Sequence, residues 1–313
     1  MEVPLSSGAQ FRSDQMRDKK IQVVLFLITL ATTFLAGFLQ GGSIINGVAF
    51  SAALLFILGA HEMGHYIYGK KYGVDITPPY FIPAPPIISP IGTFGAFIKI
   101  KSPISTKRAL FDIGIAGPLL GIIAAIPIII IGIKLSRIVG TTGLESPGMT
   151  LGSPLIFSFL SDTFFGKVPE GKDILLHPVA FAGWIGLFVT ALNLIPAGQL
   201  DGGHIMYALL PRKWHRRISV SMIFVLLILG IGTQPIVHLV QSIWRGVSLD
   251  PYKGLVFDGW LGWIMWAMLL SIMGTRHPPT KDDEIPLDGK RKILGAIALL
   301  VFVGCFTPLP IRV

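Results

Sequence analysis

The chain alternates long apolar runs with short, basic, polar stretches, and the runs have the length of membrane spans. Residues 21–60 contain no Asp, Glu, Lys or Arg. A spanning helix needs about 20 apolar residues, so this run predicts two helices, with Gly41-Gly42-Ser43 as the turn between them. Further spans are predicted at 113–133, 174–200, 218–244, 254–275 and 293–311. Asp258 interrupts the sixth, and Pro308 and Pro310 weaken the seventh. The pattern therefore predicts an all-α polytopic membrane protein of about six or seven transmembrane helices.

Two stretches break the pattern. Residues 76–110 hold Pro78, Pro79, Pro83, Pro85, Pro86 and Pro90, followed by the glycine-containing run 92–101 with weak alternation from Ala96 to Lys101. This predicts a prolyl loop, a glycine turn and a short membrane-associated strand or hairpin. Residues 135–173 read as an outer loop whose apolar piece, 154–160, lies at the interface. The expected organisation is a cytoplasmic segment (1–20), a transmembrane core (21–210) and C-terminal transmembrane helices (211–313). No polar stretch is long enough for a separate soluble domain, and no internal repeat is visible.

Composition agrees. Of 313 residues, 52% are hydrophobic and 14% charged, against about 25% charged in soluble domains. Disordered, collagen-like, coiled-coil and disulfide-scaffold classes are excluded, and Cys305 has no internal partner. The net charge of +9 reads as basic loops at an anionic membrane surface. No nucleic-acid motif accompanies it. With the N-terminus in the cytoplasm, segments 1–20, 70–108, 211–217 and 276–292 carry nineteen of the 26 Lys and Arg residues. That bias predicts the N-terminus inside and the C-terminus outside. It fits a prokaryotic plasma membrane, and the polar lead before the first run reads as an uncleaved anchor.

Chemistry is concentrated in two places. At the end of the second apolar run stands His61-Glu62-Met63-Gly64-His65. Positions i and i+4 share a helix face, so the two imidazoles can grip one metal ion. Glu62 sits beside them, placed to serve as general base and then general acid. With 7 His in 313 residues, chance gives this pattern on the order of 0.0025 times. Polar glue between helices is the bland alternative, but three ionisable groups in five residues of an apolar helix are costly. A catalytic zinc usually takes three protein ligands. Asp201 closes the fourth run, after Pro196 and Gly198 break it. By the predicted topology it lies at the same depth as the histidines. It is either a third ligand or a solvated carboxylate at a helix end.

Together, His61-Glu62-Met63-Gly64-His65, Asn193-Leu194-Ile195-Pro196 and Leu200-Asp201-Gly202-Gly203-His204 resemble the site-2 protease family of intramembrane zinc metalloproteases, over roughly residues 50–210. The resemblance implies one catalytic Zn2+ per chain on His61, His65 and Asp201, with Glu62 catalytic and Asn193 steadying the developing oxyanion. It implies regulated intramembrane proteolysis of single-pass membrane protein substrates within the lipid bilayer, near the cytoplasmic side. Residues 92–100 are similar to the family's membrane-associated loop, which makes Gly92, Gly95, Ala96, Phe97 and Ile98 candidate substrate-binding residues. The stretch Arg276-His277-Pro278-Pro279 also resembles prokaryotic and plastid relatives, with no chemical role attached. The PDZ insertion and the cysteine-rich loop of other branches are lacking.

The remaining ionisable residues have milder readings. His204 is expected to support the ligands from behind or to contact substrate. Asp112, at the start of the third span beside Lys107 and Arg108, is expected to be a solvated or paired loop charge. Asp258, His177 and His238 are expected near the outer surface, and the basic run 212–217 is expected to be a topology signal. The rival function is a metal or proton-coupled transporter, since intramembrane His, Asp and Glu also mark ion paths. The single histidine pair and the missing inverted repeat speak against it. An inactive scaffold fits poorly with an intact His-Glu-His-Asp set. The sequence specifies neither the substrate nor the oligomeric state.

Overall fold

The computed structural model describes residues 6–140, 150–166, 168–232, 258–282 and 285–312. These residues form helices α1 (Ser6–Gly41), α2 (Ile44–Lys71), α3 (Lys107–Leu135), α4 (Leu155–Phe165), α5 (Pro178–Asn193), α6 (Asp201–Leu209), α7 (Arg212–Ile231), α8 (Gly262–Met273) and α9 (Gly289–Cys305). The short strands are β1 (Tyr80–Pro83), β2 (Thr93–Phe97), β3 (Arg137–Gly140), β4 (Thr150–Leu151), β5 (Lys172–Leu175) and β6 (Ile311–Arg312), paired as β1–β2, β3–β5 and β4–β6. Among the described residues, four helices are long and apolar enough to cross a membrane: 16–41 of α1, then α2, α3 and α7. The chain is an integral membrane protein, mostly helical, with a small sheet.

The described residues account at full length for four of the expected six or seven spans. The run 174–200 divides into α5, a break, and α6. Pro196 lacks an N–H and Gly198 takes φ +57°, so the helix cannot continue through them. The 16 residues of α5 rise about 24 Å, short of the roughly 30 Å hydrocarbon core. The run 293–311 stops at Cys305, before Pro308, and its helix starts earlier, at Gly289. Among the described residues of the sixth run, the helix covers Gly262–Met273. The basic run 212–217 is the first turns of α7, not a loop. Residues 233–244 of the expected fifth span, 254–257 of the sixth, 141–149 of the expected outer loop, and His238 lie outside the described residues.

The chain divides into two compact units. The first contains residues up to 103 together with 119–137 and 175–186. Here α1 and α2 form an antiparallel hairpin around Gly42, where φ is +65°. Ser43 caps α2 by accepting from the Asn46 N–H at 3.1 Å. Small residues let the helices approach, as membrane packing requires. A Cβ on Gly37 would lie 2.5 Å from Phe50, and one on Gly186 would lie 2.8 Å from Ile57. Thr33 and Ser51 bridge α1 and α2 through their hydroxyls at 2.6 Å.

The same unit holds the β-hairpin. β1 pairs with β2 antiparallel, Tyr80 opposite Phe97 and Phe81 opposite Ala96, with an irregularity before the Pro83–Thr93 pair. The strand pairing therefore begins inside the proline-rich segment, and β2 starts at Thr93 rather than at Ala96. Pro83 can sit at a strand end because its missing N–H is not needed there. The hairpin lies along α1. Gln22 donates to the Pro78 carbonyl at 2.8 Å, Thr32 to that of Gly92 at 2.6 Å, and Gln40 to that of Pro90 at 2.8 Å.

The second unit contains residues 104–118, 138–174 and 187–313. Its core is Leu192, Ile195, Ala197, Leu226, Trp263, Ala267 and Leu270. Trp263 is 1% exposed and donates its indole N–H to the Pro308 carbonyl at 2.8 Å. Asp112 is a paired charge, as one of the two expected readings had it, but it lies within α3 rather than in a loop, and Arg291 clamps it through two hydrogen bonds, of 2.8 and 2.6 Å. The planar guanidinium matches a carboxylate in this two-pronged way, which a neighbouring lysine cannot. Asp288 caps α9, and the backbone N–H of Arg291 holds its carboxyl below the ordinary carboxylate range.

Candidate metal centre

α2 carries three expected site residues within five positions. His61, Glu62 and His65 are 4%, 7% and 6% exposed. They do not end the helix, as the apolar run suggested, because α2 continues to Lys71. Lys70 and Lys71 occupy its last turn, where cations suit the helix dipole, and Gly73 at φ +68° turns the chain away.

The geometry of the two imidazoles tests whether zinc fits. Their Nε2 atoms stand 3.1 Å apart, and the rings meet edge to face with centroids 4.9 Å apart. Two tetrahedral ligands at about 2.0–2.1 Å from zinc sit about 3.3 Å from each other. The pair therefore fits one shared ion. Glu62 projects about 100° around the helix from His61, beside that face.

In the second unit, α5 ends on half-buried Asn193. Residues 194–200 form tight turns, with Ala197 N–H bonded to the Ile195 carbonyl at 2.7 Å. Asp201 then opens α6 rather than closing the fourth run. It occupies the first turn of that helix, where the dipole suits an acidic side chain. Gly202 and Gly203 allow this start: a Cβ on Gly202 would lie 2.1 Å from the Leu194 carbonyl oxygen. His204 follows one turn after Asp201, on the same face.

The candidate substrate residues are distributed along the hairpin. Gly92 precedes β2 with φ +76°, and Gly95 lies within it at φ +101°. Ala96 opposes Phe81, and Phe97 stacks on Tyr80 with ring centroids 5.4 Å apart. Ile98 lies just past β2. Extended pairing resumes beyond it, where the Thr77 N–H donates to the Lys99 carbonyl at 3.0 Å and Ile100 bridges Ile76. Among the other residues, Asp258 is exposed. His177 precedes α5 and accepts the Val179 N–H on Nδ1 at 3.2 Å.

Sequence reasoning gave His277 no role. In the structure its Nε2 stands 2.8 Å from Nδ1 of His204. Its ring stacks on Tyr207 at 4.2 Å, with His215 edge-on to both at 5.5 and 6.1 Å. The available signal was a lone histidine between Gly274 and Pro278-Pro279 at the end of an apolar run.

Comparison with known proteins gives a consistent set. Residues 49–231 match the family described as peptidase family M50. A probable zinc metalloprotease of Oryza sativa subsp. indica (EGY2, chloroplastic) is 30% identical over 174 residues, covering 56% of this chain and 31% of that protein. A probable zinc metallopeptidase of Arabidopsis thaliana (EGY3, chloroplastic) is 28% identical over 281 residues, covering 85% of this chain and 43% of that protein. The chain thus spans less than half the length of these relatives. The site-2 protease from Methanocaldococcus jannaschii superposes with a TM-score of 0.34 at 19% identity, covering 82% of this chain and 91% of that one.

Proposed function

The chain belongs to peptidase family M50, and from that membership we propose that it is an intramembrane zinc metalloprotease that hydrolyses peptide bonds of membrane-spanning substrates near the cytoplasmic side. The observation that carries this reading is the buried imidazole pair of α2, spaced at 3.1 Å for a single ion. The third ligand in this reading is Asp201, which opens α6 within the residues that match the family. Two neutral nitrogens and one carboxylate leave a fourth position for water or substrate, as a catalytic rather than structural zinc needs.

Zinc, when bound there, supplies a Lewis acid that polarises the scissile carbonyl and makes water more acidic. Glu62 takes the proton of the attacking water and delivers it to the departing amine. Asn193 donates its amide N–H to the oxygen on which negative charge develops. A helical substrate hides its peptide bonds, so it must be locally extended before attack. β2 has a single strand partner, β1, among the described residues. Its other edge is the surface on which an unwound substrate pairs by strand addition, along Gly92, Gly95, Ala96 and Phe97, with Ile98 following. Substrates are single-pass membrane proteins. The N-terminus faces the cytoplasm on the charge argument alone, and a prokaryotic plasma membrane draws no support from the two plant relatives, which are described as chloroplastic.

The test is Glu62→Gln, which keeps the size and removes the base. Purified protein in vesicles should retain its zinc while cleavage of a single-pass substrate falls by about 10²–10⁴-fold. Full cleavage with zinc bound removes Glu62 from the chemistry. A wild-type protein that takes up no zinc removes the centre itself.

A further inference from the structure

The hydrogen bonds around His277 fix proton positions. Its Nδ1 lies 2.6 Å from the Pro278 carbonyl oxygen. A carbonyl only accepts, so Nδ1 carries the hydrogen. In a neutral ring, Nε2 is then bare and accepts. The atom facing it at 2.8 Å is Nδ1 of His204, which must therefore be the donor. A neutral His204 with its hydrogen on Nδ1 has a bare Nε2. The tautomers of both rings thus follow from one main-chain oxygen.

The arrangement is held at several points. His277 lies flat against Tyr207, which is 2% exposed, and Arg212 donates to the Tyr207 hydroxyl at 3.1 Å. The residue before a proline is confined to extended backbone, so Pro278 sets the conformation of His277. Upstream, Gly274 turns the chain at φ +88°. Its carbonyl oxygen comes so near Gly198 that a Cβ there would stand 2.8 Å away. Residues 274–277 therefore meet the break before α6 at Gly198 and α6 itself at His204. His204 follows Asp201 by one turn, on the same face.

We propose that His277 is a positioning residue of the hydrolytic site: it accepts the Nδ1 hydrogen of His204 and so holds His204 in the tautomer whose Nε2 accepts hydrogen bonds, one turn beyond Asp201. This rests on the metalloprotease reading, and it gives a role to the Arg276–Pro279 stretch. In that tautomer the Nε2 of His204 is an acceptor, on the same face as Asp201. It offers no hydrogen from Nε2 to compete for the Asp201 carboxylate.

The experiment uses the full chain with three variants and two readouts. His277→Phe keeps the stack on Tyr207 and removes the acceptor. His277→Gln keeps an acceptor oxygen near the place of Nε2. Supporting partners of this kind are typically worth about 10–100-fold. His277→Phe should lower kcat by about tenfold or more with zinc content unchanged, and His277→Gln should recover most of that loss. Independently of cleavage, ¹⁵N-histidine spectra of wild type, assigned with His204→Asn, should show His204 with Nδ1 protonated and Nε2 bare. In His277→Phe the same residue should show mixed tautomers. Wild-type cleavage by His277→Phe, no recovery in His277→Gln, or a wild-type His204 protonated on Nε2 each overturns the proposal. A wild-type protein that cleaves nothing but shows the expected tautomer defeats the protease reading instead.

Discussion

At Gly202 a missing side chain decides where Asp201 stands. Asp201 can start α6 only because the next residue backs onto the preceding turn, where a Cβ would lie 2.1 Å from the Leu194 oxygen and 2.6 Å from that of Ile195. Both obstacles are backbone, which cannot swing aside as a side chain can. Gly202→Ala should therefore lower stability in detergent by about 1–3 kcal/mol, read as a lower thermal midpoint, and weaken zinc uptake. Gly289→Ala is the control. A Cβ there meets nothing within 4 Å, and its midpoint should hold or rise. An unchanged Gly202→Ala midpoint would show that the turn is not tight. Placement was legible in the sequence where one helix turn sets it, as for the shared face of His61 and His65, and for the helix start that the glycines after Asp201 allow. That of His277 was not, because 73 residues separate it from His204 and no periodicity spans that distance.

At the scale of elements, the β-hairpin shows how a weak pattern misplaces a strand. Alternation suggested pairing from Ala96 onward, yet β2 is Thr93–Phe97 and its partner is the proline-bounded β1. The sequence contains no trace of the hydrogen bonds from Gln22, Thr32 and Gln40 that lay the hairpin along α1. With β1 as its strand partner, β2 has one edge that no strand pairs among the described residues. Successive N–H groups of a strand point to opposite edges. Of Ala96→Pro and Phe97→Pro, one removes a hydrogen needed by β1 and the other removes one offered outward. The second should fold and bind zinc normally yet lose cleavage of a full-length substrate by about 2–10-fold, one hydrogen bond at its net value of about 0.5–1.5 kcal/mol. Two folded variants with unimpaired cleavage would rule out strand addition. The same lesson applies to 174–200: charge-free length reads as one span, while Pro196 and Gly198 make it two helices whose junction presents Asp201.

For the whole molecule, the membrane orientation follows from chain continuity within the elements. α1 and α2 are antiparallel about Gly42, so the end of α2 returns to the side where the first span begins. The 2.9 Å ion pair of Lys101 with Asp18 places the segment after the hairpin on that side too. α3 starts six residues later, at Lys107, and runs 29 residues, about 43 Å of rise, enough to cross the bilayer. Leu135 therefore emerges opposite to Asp75. With Lys70, Lys71, Lys99, Lys101, Lys107 and Arg108 on the near side, against Lys134 and Arg137 on the far side, the positive-inside rule predicts that the near side faces the cytoplasm. With Cys305 replaced by serine, Asp75→Cys in the exposed turn after α2 and Glu170→Cys in the exposed turn before β5 are single reporters. In right-side-out vesicles a membrane-impermeant maleimide should label Cys at 170 and spare Cys at 75, and inverted vesicles should reverse the result. Labelling of both from one side would break the assignment of α3 as a crossing helix. Labelling in the opposite sense would keep the crossing and put the His61–His65 end of α2 toward the other compartment, moving the site of substrate cleavage with it.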